Sequence, residues 1–140
     1  PQRMPLICAV EKENFTCISD WYIRQAMNDV SNFKFPINRM FGIAEFNVFD
    51  KKIVGLHGHQ TGFDSITKVA HVVGYIPTQV NLGHLHVFHN KDFGRTRVVG
   101  SPSFCGLDSY ASDKLLYGLP HQLLEVFYEN GDKDVKELYL

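Results

Sequence analysis

This sequence has few cysteines, almost no net charge and no long apolar run, and each absence excludes a class of protein. The three cysteines are odd in number and show no C-x-x-C spacing, which indicates reduced thiols in a cytoplasmic protein and not a disulfide framework. The formal net charge of -1 offers no basic surface for non-specific binding, so charge does not indicate a nucleic-acid partner. No run approaches the roughly 18 apolar residues of a membrane span, and no signal-peptide pattern is present. We therefore expect neither a membrane segment nor a membrane partner.

The composition that remains is that of a globular protein. Of 140 residues, 44% are hydrophobic and 21% are charged, which is enough chain and enough apolar surface for one hydrophobic core. The sequence contains no internal repeat and no low-complexity segment. We therefore expect residues 1–140 to form a single domain.

The first part of the chain predicts a strand over residues 4–10 and then one amphipathic helix. Ser19 is a suitable helix N-cap, and apolar residues follow it at the i, i+3, i+4, i+7 spacing of a helix that ends near Ser31. These apolar positions are Ile23, Ala26, Met27 and Val30. We expect Trp21 and Met27 to pack in the core.

The middle of the chain predicts strands alternating with one helix. Strands 43–49 and 52–56 flank a turn at Asp50-Lys51, a helix capped by Asp64 or Ser65 follows, and a strand over residues 79–82 ends at Gly83. Loops that follow the strands of such a βαβ-like unit gather at one edge of the sheet. The composition of residues 90–94 predicts a turn, residues 95–100 a strand, and residues 123–128 with 135–140 a closing hairpin. The predicted fold class is therefore α/β, of the mixed α+β kind.

Histidine is the residue type that clusters. Six of the seven histidines lie between positions 57 and 89, and five of these six fall in His57-Gly58-His59, in Gly83-His84-Leu85-His86 and at His89. Neutral imidazole is the commonest metal ligand, and side chains at i and i+2 of an extended backbone point to the same side. A metal site is therefore the first hypothesis. Its alternative is that these are ordinary surface or hydrogen-bonded core histidines, which is what we expect of His71 and His121.

Residues 41–140, which carry these histidine motifs in sequence, resemble the C-terminal half of a calcineurin-like metallophosphoesterase. That family has a strand ending in H-G-H or H-G-D, a helix, a strand ending in G-H-x-H, a G-S-P or P-G-S turn and a closing hairpin. The resemblance implies a four-layer αββα sandwich in which His57 and His84 bind one ion of a two-metal centre and His86 binds the other. It further implies that His59 is a second-shell or phosphate-contacting group. Gly100 and Ser101 would shape the pocket wall, with Ser101 a candidate phosphate contact, whereas His89 matches no family ligand.

The sequence departs from the family in its N-terminal motifs. D-x-H, G-D and G-N-H, which supply the bridging aspartate, the asparagine ligand and the catalytic histidine, do not occur at usable positions, because Gly131-Asp132 falls in the predicted terminal hairpin turn. No catalytic residue is therefore assigned. An unbridged pair of ions is a poor arrangement for generating hydroxide, so we expect the partner to be the missing N-terminal segment or a second protomer. Unpaired strand edges and an apolar sheet face should favour such an association. Residues expected on that face are Ile43, Phe46, Val48 and Val98.

Three functions fit these observations. The leading one is a metal-dependent phosphoesterase, incomplete in this chain, which cleaves a phosphomono- or phosphodiester such as a nucleotide with two divalent ions. Imidazole ligands with hard oxygen ligands from the absent half favour Mn, Fe or Zn as those ions. The alternative is a catalytically inactive phosphoesterase-like scaffold for protein interaction, which the missing acidic motifs would explain. A small metal-sensing domain that uses histidines alone is the third.

Overall fold

The computed structural model describes residues 16–40, 42–58, 66–84, 86–105, 112–113 and 118–140. The chain divides into two compact units, Pro1–Ile37 and Asn38–Leu140. The predicted strand over residues 4–10 lies outside the described residues.

The first unit contains one helix, α1 (Thr16–Ala26). Its ion pair between Arg24 Nε and Asp20 Oδ2 spans one turn at 2.7 Å, and the Arg24 guanidinium also lies 4.3 Å from the centre of the Phe35 ring. The helix begins before Ser19 and ends before Ser31, so both predicted boundaries were wrong. The predicted burial of Trp21 was also wrong, since this side chain is 61% exposed. Residues 27–36 form only turns and irregular chain, so the unit offers no second element over residues 16–36 that could cover the indole.

The second unit is built on a mixed sheet of six strands. They are β1 (Ile37–Met40), β2 (Ile43–Val48), β3 (Lys51–Leu56), β4 (Gln79–Leu82), β5 (His89–Phe93) and β6 (Thr96–Gly100). Their order across the sheet is β1-β2-β3-β4-β6-β5. The three inner strands β3, β4 and β6 are parallel, and hairpins extend the sheet on both sides. The β2–β3 turn falls at Phe49-Asp50, one residue earlier than predicted, with Phe49 in the left-handed region at a φ of 53°.

One face of this sheet carries the helix α2 (Ile66–Val73). The 3.6-residue apolar period places Val69 and Val73 on the buried side of this helix, where they pack against valines of the inner strands. The cluster contains Val54, Val69, Val73, Val80, Leu82 and Val98. Val98 is fully buried, so its predicted place on an exposed apolar face was wrong. It lies opposite Val80 on the neighbouring parallel strand, on the face that α2 covers.

Strand β5 corrects another prediction, because residues 90–93 belong to a strand and, of the predicted turn residues, only Gly94 lies in a turn. Lys91 and Asp92 have a turn-like composition but belong to an edge strand, and natural edge strands carry charges that discourage pairing with other chains. Asp92 Oδ1 accepts a hydrogen bond from Arg97 Nε of the neighbouring strand at 3.0 Å.

A separate two-stranded sheet completes the second unit. It consists of β7 (His121–Phe127) and β8 (Lys133–Tyr139), and it contacts the face of the large sheet opposite α2 through Gln79 and Asn81 of β4. Helix, large sheet and hairpin therefore form successive layers, and the predicted mixed α/β fold is confirmed. None of the helices in the described ranges is long and apolar enough to cross a membrane.

Candidate functional site

The carboxyl ends of the three parallel strands bring the candidate residues to one edge of the sheet. His57 follows β3, Gly83 and His84 follow β4, and Ser101 follows β6. The parallel ladder continues one residue past the strands, since the Gly83 amide donates to the Leu56 carbonyl at 3.2 Å and the Ser101 amide donates to the Leu82 carbonyl at 2.7 Å. Buried parallel strands are stiff, so they fix the positions of the loops that leave them.

His57 and His84 lie side by side at this edge. The distance between His57 Nε2 and His84 Nδ1 is 3.2 Å, and the rings meet edge to face with centroids 5.1 Å apart. Gly83 permits this approach, because a Cβ at that position would stand 3.3 Å from the His57 carbonyl oxygen and 3.5 Å from its Nδ1. The prediction that the two strand ends would meet is confirmed for this pair.

The spacing of the two nitrogens is compatible with a shared metal ion. Two nitrogens bound to one tetrahedral ion at about 2.0 to 2.1 Å lie about 3.3 to 3.4 Å apart, close to the observed 3.2 Å. The same distance also suits an N–H···N hydrogen bond. Within the part of the chain that the structure describes, no group of three or more His, Cys, Asp or Glu side chains is arranged to hold a metal ion. Among the described residues the pair could therefore offer at most two ligands to a metal ion.

The backbone around these histidines is not extended, which corrects the geometric reason given for the G-H-x-H motif. His84 and His86 both lie in the left-handed region, with φ of 60° and 58°. Residues with a Cβ adopt this region at a cost of about 1–2 kcal/mol, and such outliers cluster at functional sites. The role of His86 as a ligand of a second ion stays a prediction, and His59 lies outside the described residues.

Gly100, the last residue of β6, pairs with His89 of β5. The His89 ring occupies the space in which a side chain at position 100 would lie. A Cβ on Gly100 would overlap Cε1, Nδ1 and Nε2 of the His89 ring, so the absence of a side chain at position 100 is what accommodates the imidazole. Burial lowers the pKa of His89 below its usual 6.5, against the opposing effect of a hydrogen bond with the Val87 backbone. The motifs assigned His89 no role, and its pairing with Gly100 became visible only once residues 89–93 proved to be a strand.

The two remaining histidines behave as expected of ordinary residues. His71 is an exposed residue of α2. His121 is 8% exposed, its Nδ1 lies 2.7 Å from the Leu119 carbonyl oxygen and its ring stacks on Tyr139. Neither lies among the strand-end residues of the candidate site.

Comparison with known proteins identifies the fold. No family model and no curated protein matches the sequence. Among solved structures, a single-mutant form of Vps29 from Entamoeba histolytica is similar, with a TM-score of 0.53 and 14% identity over 79% of this chain and 66% of that chain. Wild-type Vps29 from the same organism, in complex with zinc, gives a TM-score of 0.51 and 15% identity over 74% and 63% of the two chains. A novel archaeal phosphodiesterase gives 0.52 and 12% over 92% and 66%.

The chain therefore shares the fold of these Vps29 and phosphodiesterase structures. It spans no more than 66% of the length of these three proteins. The fold agrees with the family whose motifs the sequence resembles.

Proposed function

We propose that this chain is the metal-binding C-terminal part of a dinuclear metallophosphoesterase. The observation that carries the proposal is the 3.2 Å approach of His57 Nε2 to His84 Nδ1 at the carboxyl edge of three parallel strands. Ligand sites of open α/β sheets lie at this edge. The similar fold of a phosphodiesterase and of a zinc-bound Vps29 supports both the reaction class and the use of metal.

Each residue of the edge has a proposed role. His57 and His84 hold one divalent ion, and His86 holds the other. Bound Mn, Fe or Zn ions would supply an activated water and stabilise negative charge on a phosphate ester such as a nucleotide or another phosphodiester. Ser101, whose amide donates to the Leu82 carbonyl, would present its hydroxyl to a phosphate oxygen, and His59 would contact the phosphate or support the metal ligands.

The proposal requires ligands from outside this chain. The acidic motifs D-x-H, G-D and G-N-H are absent from the usable positions of the sequence, so a further segment or a second protomer would supply the bridging carboxylate and the catalytic histidine. We place this assembly in the cytoplasm, because Cys105 is an exposed free thiol and such thiols persist in reducing compartments.

The metal pair can be tested by titrating the protein with Co²⁺ and following visible absorption. We expect His57→Ala and His84→Ala each to weaken Co²⁺ binding more than about tenfold, since each removes a direct ligand. His71→Ala is the matched control, because His71 is an exposed histidine on α2. Unchanged affinity in both strand-end variants would contradict the pair as a metal site.

Activity tests the incompleteness of the centre. Residues 1–140 alone should hydrolyse bis-p-nitrophenyl phosphate with Mn²⁺ only marginally, because the bridging carboxylate is absent. A supplied segment bearing the three acidic motifs should restore turnover, and His86→Ala should then abolish it. Robust turnover by residues 1–140 alone that depends on His86 would show that the ligand set is assigned incorrectly.

The alternative function is a scaffold that has lost catalysis. One observation favours it: residues within the described ranges provide two clustered ligand-type side chains but no third. A scaffold predicts that His57→Ala and His84→Ala leave partner binding and stability unchanged and that Co²⁺ does not bind. The titration above therefore separates the two functions.

A further inference from the structure

A buried polar cluster joins the β7–β8 hairpin to the middle of the large sheet. Lys133 Nζ donates to Glu125 Oε1 at 2.6 Å and to Gln79 Oε1 at 2.8 Å. Glu125 Oε2 accepts from Gln79 Nε2 at 2.8 Å, and Asn81 Nδ2 lies 3.4 Å from the same oxygen. The side chains of Lys133 and Glu125 are only 9% and 13% exposed. A buried ion pair adds little net stability over apolar residues of the same size but can select one arrangement of the chain.

The hairpin runs across the sheet from this cluster to the candidate site. Its tight turn lies near the start of β3, where a Cβ on Gly131 would stand 3.9 Å from Lys51 Nζ. Its open end lies at the carboxyl edge of the parallel strands. There the His121 amide donates to the Ser103 carbonyl at 3.2 Å, and a Cβ on Gly118 would contact the His86 carbonyl oxygen at 3.7 Å.

The open end therefore touches both loops that shape the candidate site. One loop carries His84 and His86, and the other runs from Ser101 to Ser103. A two-stranded hairpin has little stability of its own, so its position depends on what fastens it to the sheet. The four-residue cluster supplies side-chain hydrogen bonds between the middle of the hairpin and β4.

We propose that Gln79, Asn81, Glu125 and Lys133 form a lock that holds the hairpin's open end against the His86 and Ser103 loops. Glu125 and Lys133 are then positioning residues, which act on the site through the backbone of the hairpin and not by contact with substrate. The link to metal and phosphate binding rests on the proposed function, whereas the lock itself does not.

The lock is tested by amide hydrogen exchange of the full chain. Lys133→Met leaves Glu125 buried without its cation, and we expect exchange at the His121 amide to become about tenfold faster while the Val54 amide in β3 is unchanged, as in a local opening. Lys136→Met is the matched control, because it makes the same substitution at an exposed position of the same strand. Should Lys133→Met fail to fold, Glu125→Gln carries the test, with a rise of about threefold at His121.

Two results would overturn the lock: unchanged exchange at His121, or an equal rise at His121 and Val54, which would mean general loosening. Co²⁺ titration separates this outcome from that of the proposed function. If the wild-type protein binds Co²⁺, Lys133→Met should weaken binding about threefold or more by releasing the His86 loop. If the wild-type protein binds no Co²⁺, the proposed function fails, and the exchange data still decide on the lock.

Discussion

Gly100→Ala is the substitution for which the structure gives the sharpest energetic prediction. A new Cβ would overlap three atoms of the His89 ring, and Gly100 and His89 face each other across adjacent strands, so the ring must leave its place. Overpacking of this kind costs about 1–3 kcal/mol. Replacing a strand glycine by alanine recovers about 0.5–1 kcal/mol of backbone entropy, because Gly100 has no positive φ to preserve. We therefore expect a net loss of about 1 kcal/mol, within a range of about 0–2.5 kcal/mol, in the free energy of unfolding.

A double-mutant cycle with His89→Ala isolates the cause. Without the imidazole the added methyl group has room, so Gly100→Ala should be neutral or stabilising by about 0.5–1 kcal/mol in the His89→Ala background. Urea denaturation followed by circular dichroism gives all four stabilities. If Gly100→Ala destabilises both backgrounds equally, the His89 ring is not the obstacle and the steric argument fails.

Three further predictions concern the core and the ionisable groups. Val73→Ala should lower the free energy of unfolding by about 2 kcal/mol, because Val73 is buried in the core. Val72 is 45% exposed on the same helix, so Val72→Ala should change this free energy little. Equal losses for the two variants in thermal denaturation would refute this packing. Arg97→Met should raise the pKa of Asp92 toward its usual 3.8, since a hydrogen bond from Arg97 is the main cause of its lowering, and an unchanged carboxyl titration by NMR would contradict that pairing. Because burial lowers the pKa of His89 below 6.5, the neutral ring stabilises the fold above pH 6.5 and this contribution is lost as the pH falls through and below that value. His89→Phe should remove this dependence from urea midpoints measured between pH 5 and 8, and an identical pH profile in both proteins would count against a partly buried neutral imidazole.

The inner strands and the histidine pair could be predicted from sequence because local patterns determine them. An apolar run specifies β3, alternating polar and apolar residues specify β4, the 3.6-residue period specifies α2, and parallel strand order alone brings His57 next to His84. These features follow from residues close together in the chain and from a topological rule that holds for most parallel sheets.

Features that depend on distant residues could not be predicted in this way. Lys91 and Asp92 suggested a turn because charged residues are common in turns. Only the assembled sheet shows that they belong to an edge strand. The lock between the sheet and the hairpin joins Gln79 to Lys133 across 54 positions, and no local pattern identifies such a pair. The left-handed backbone at His84 was equally hidden, since residues other than glycine uncommonly have a positive φ and the motif suggested an extended backbone.

At His84 and His86 the left-handed backbone favours one residue type for stability, whereas metal binding would require another. Glycine or asparagine relieves the strain that a histidine carries at a φ near 60°, so His84→Gly and His86→Gly would each relax the loop while removing an imidazole. A library of variants sorted only for resistance to heat should therefore lose histidine at positions 84 and 86, and one sorted for metal uptake should retain it at 84. Comparing the two libraries would therefore separate the stability cost of these histidines from any contribution they make to metal binding.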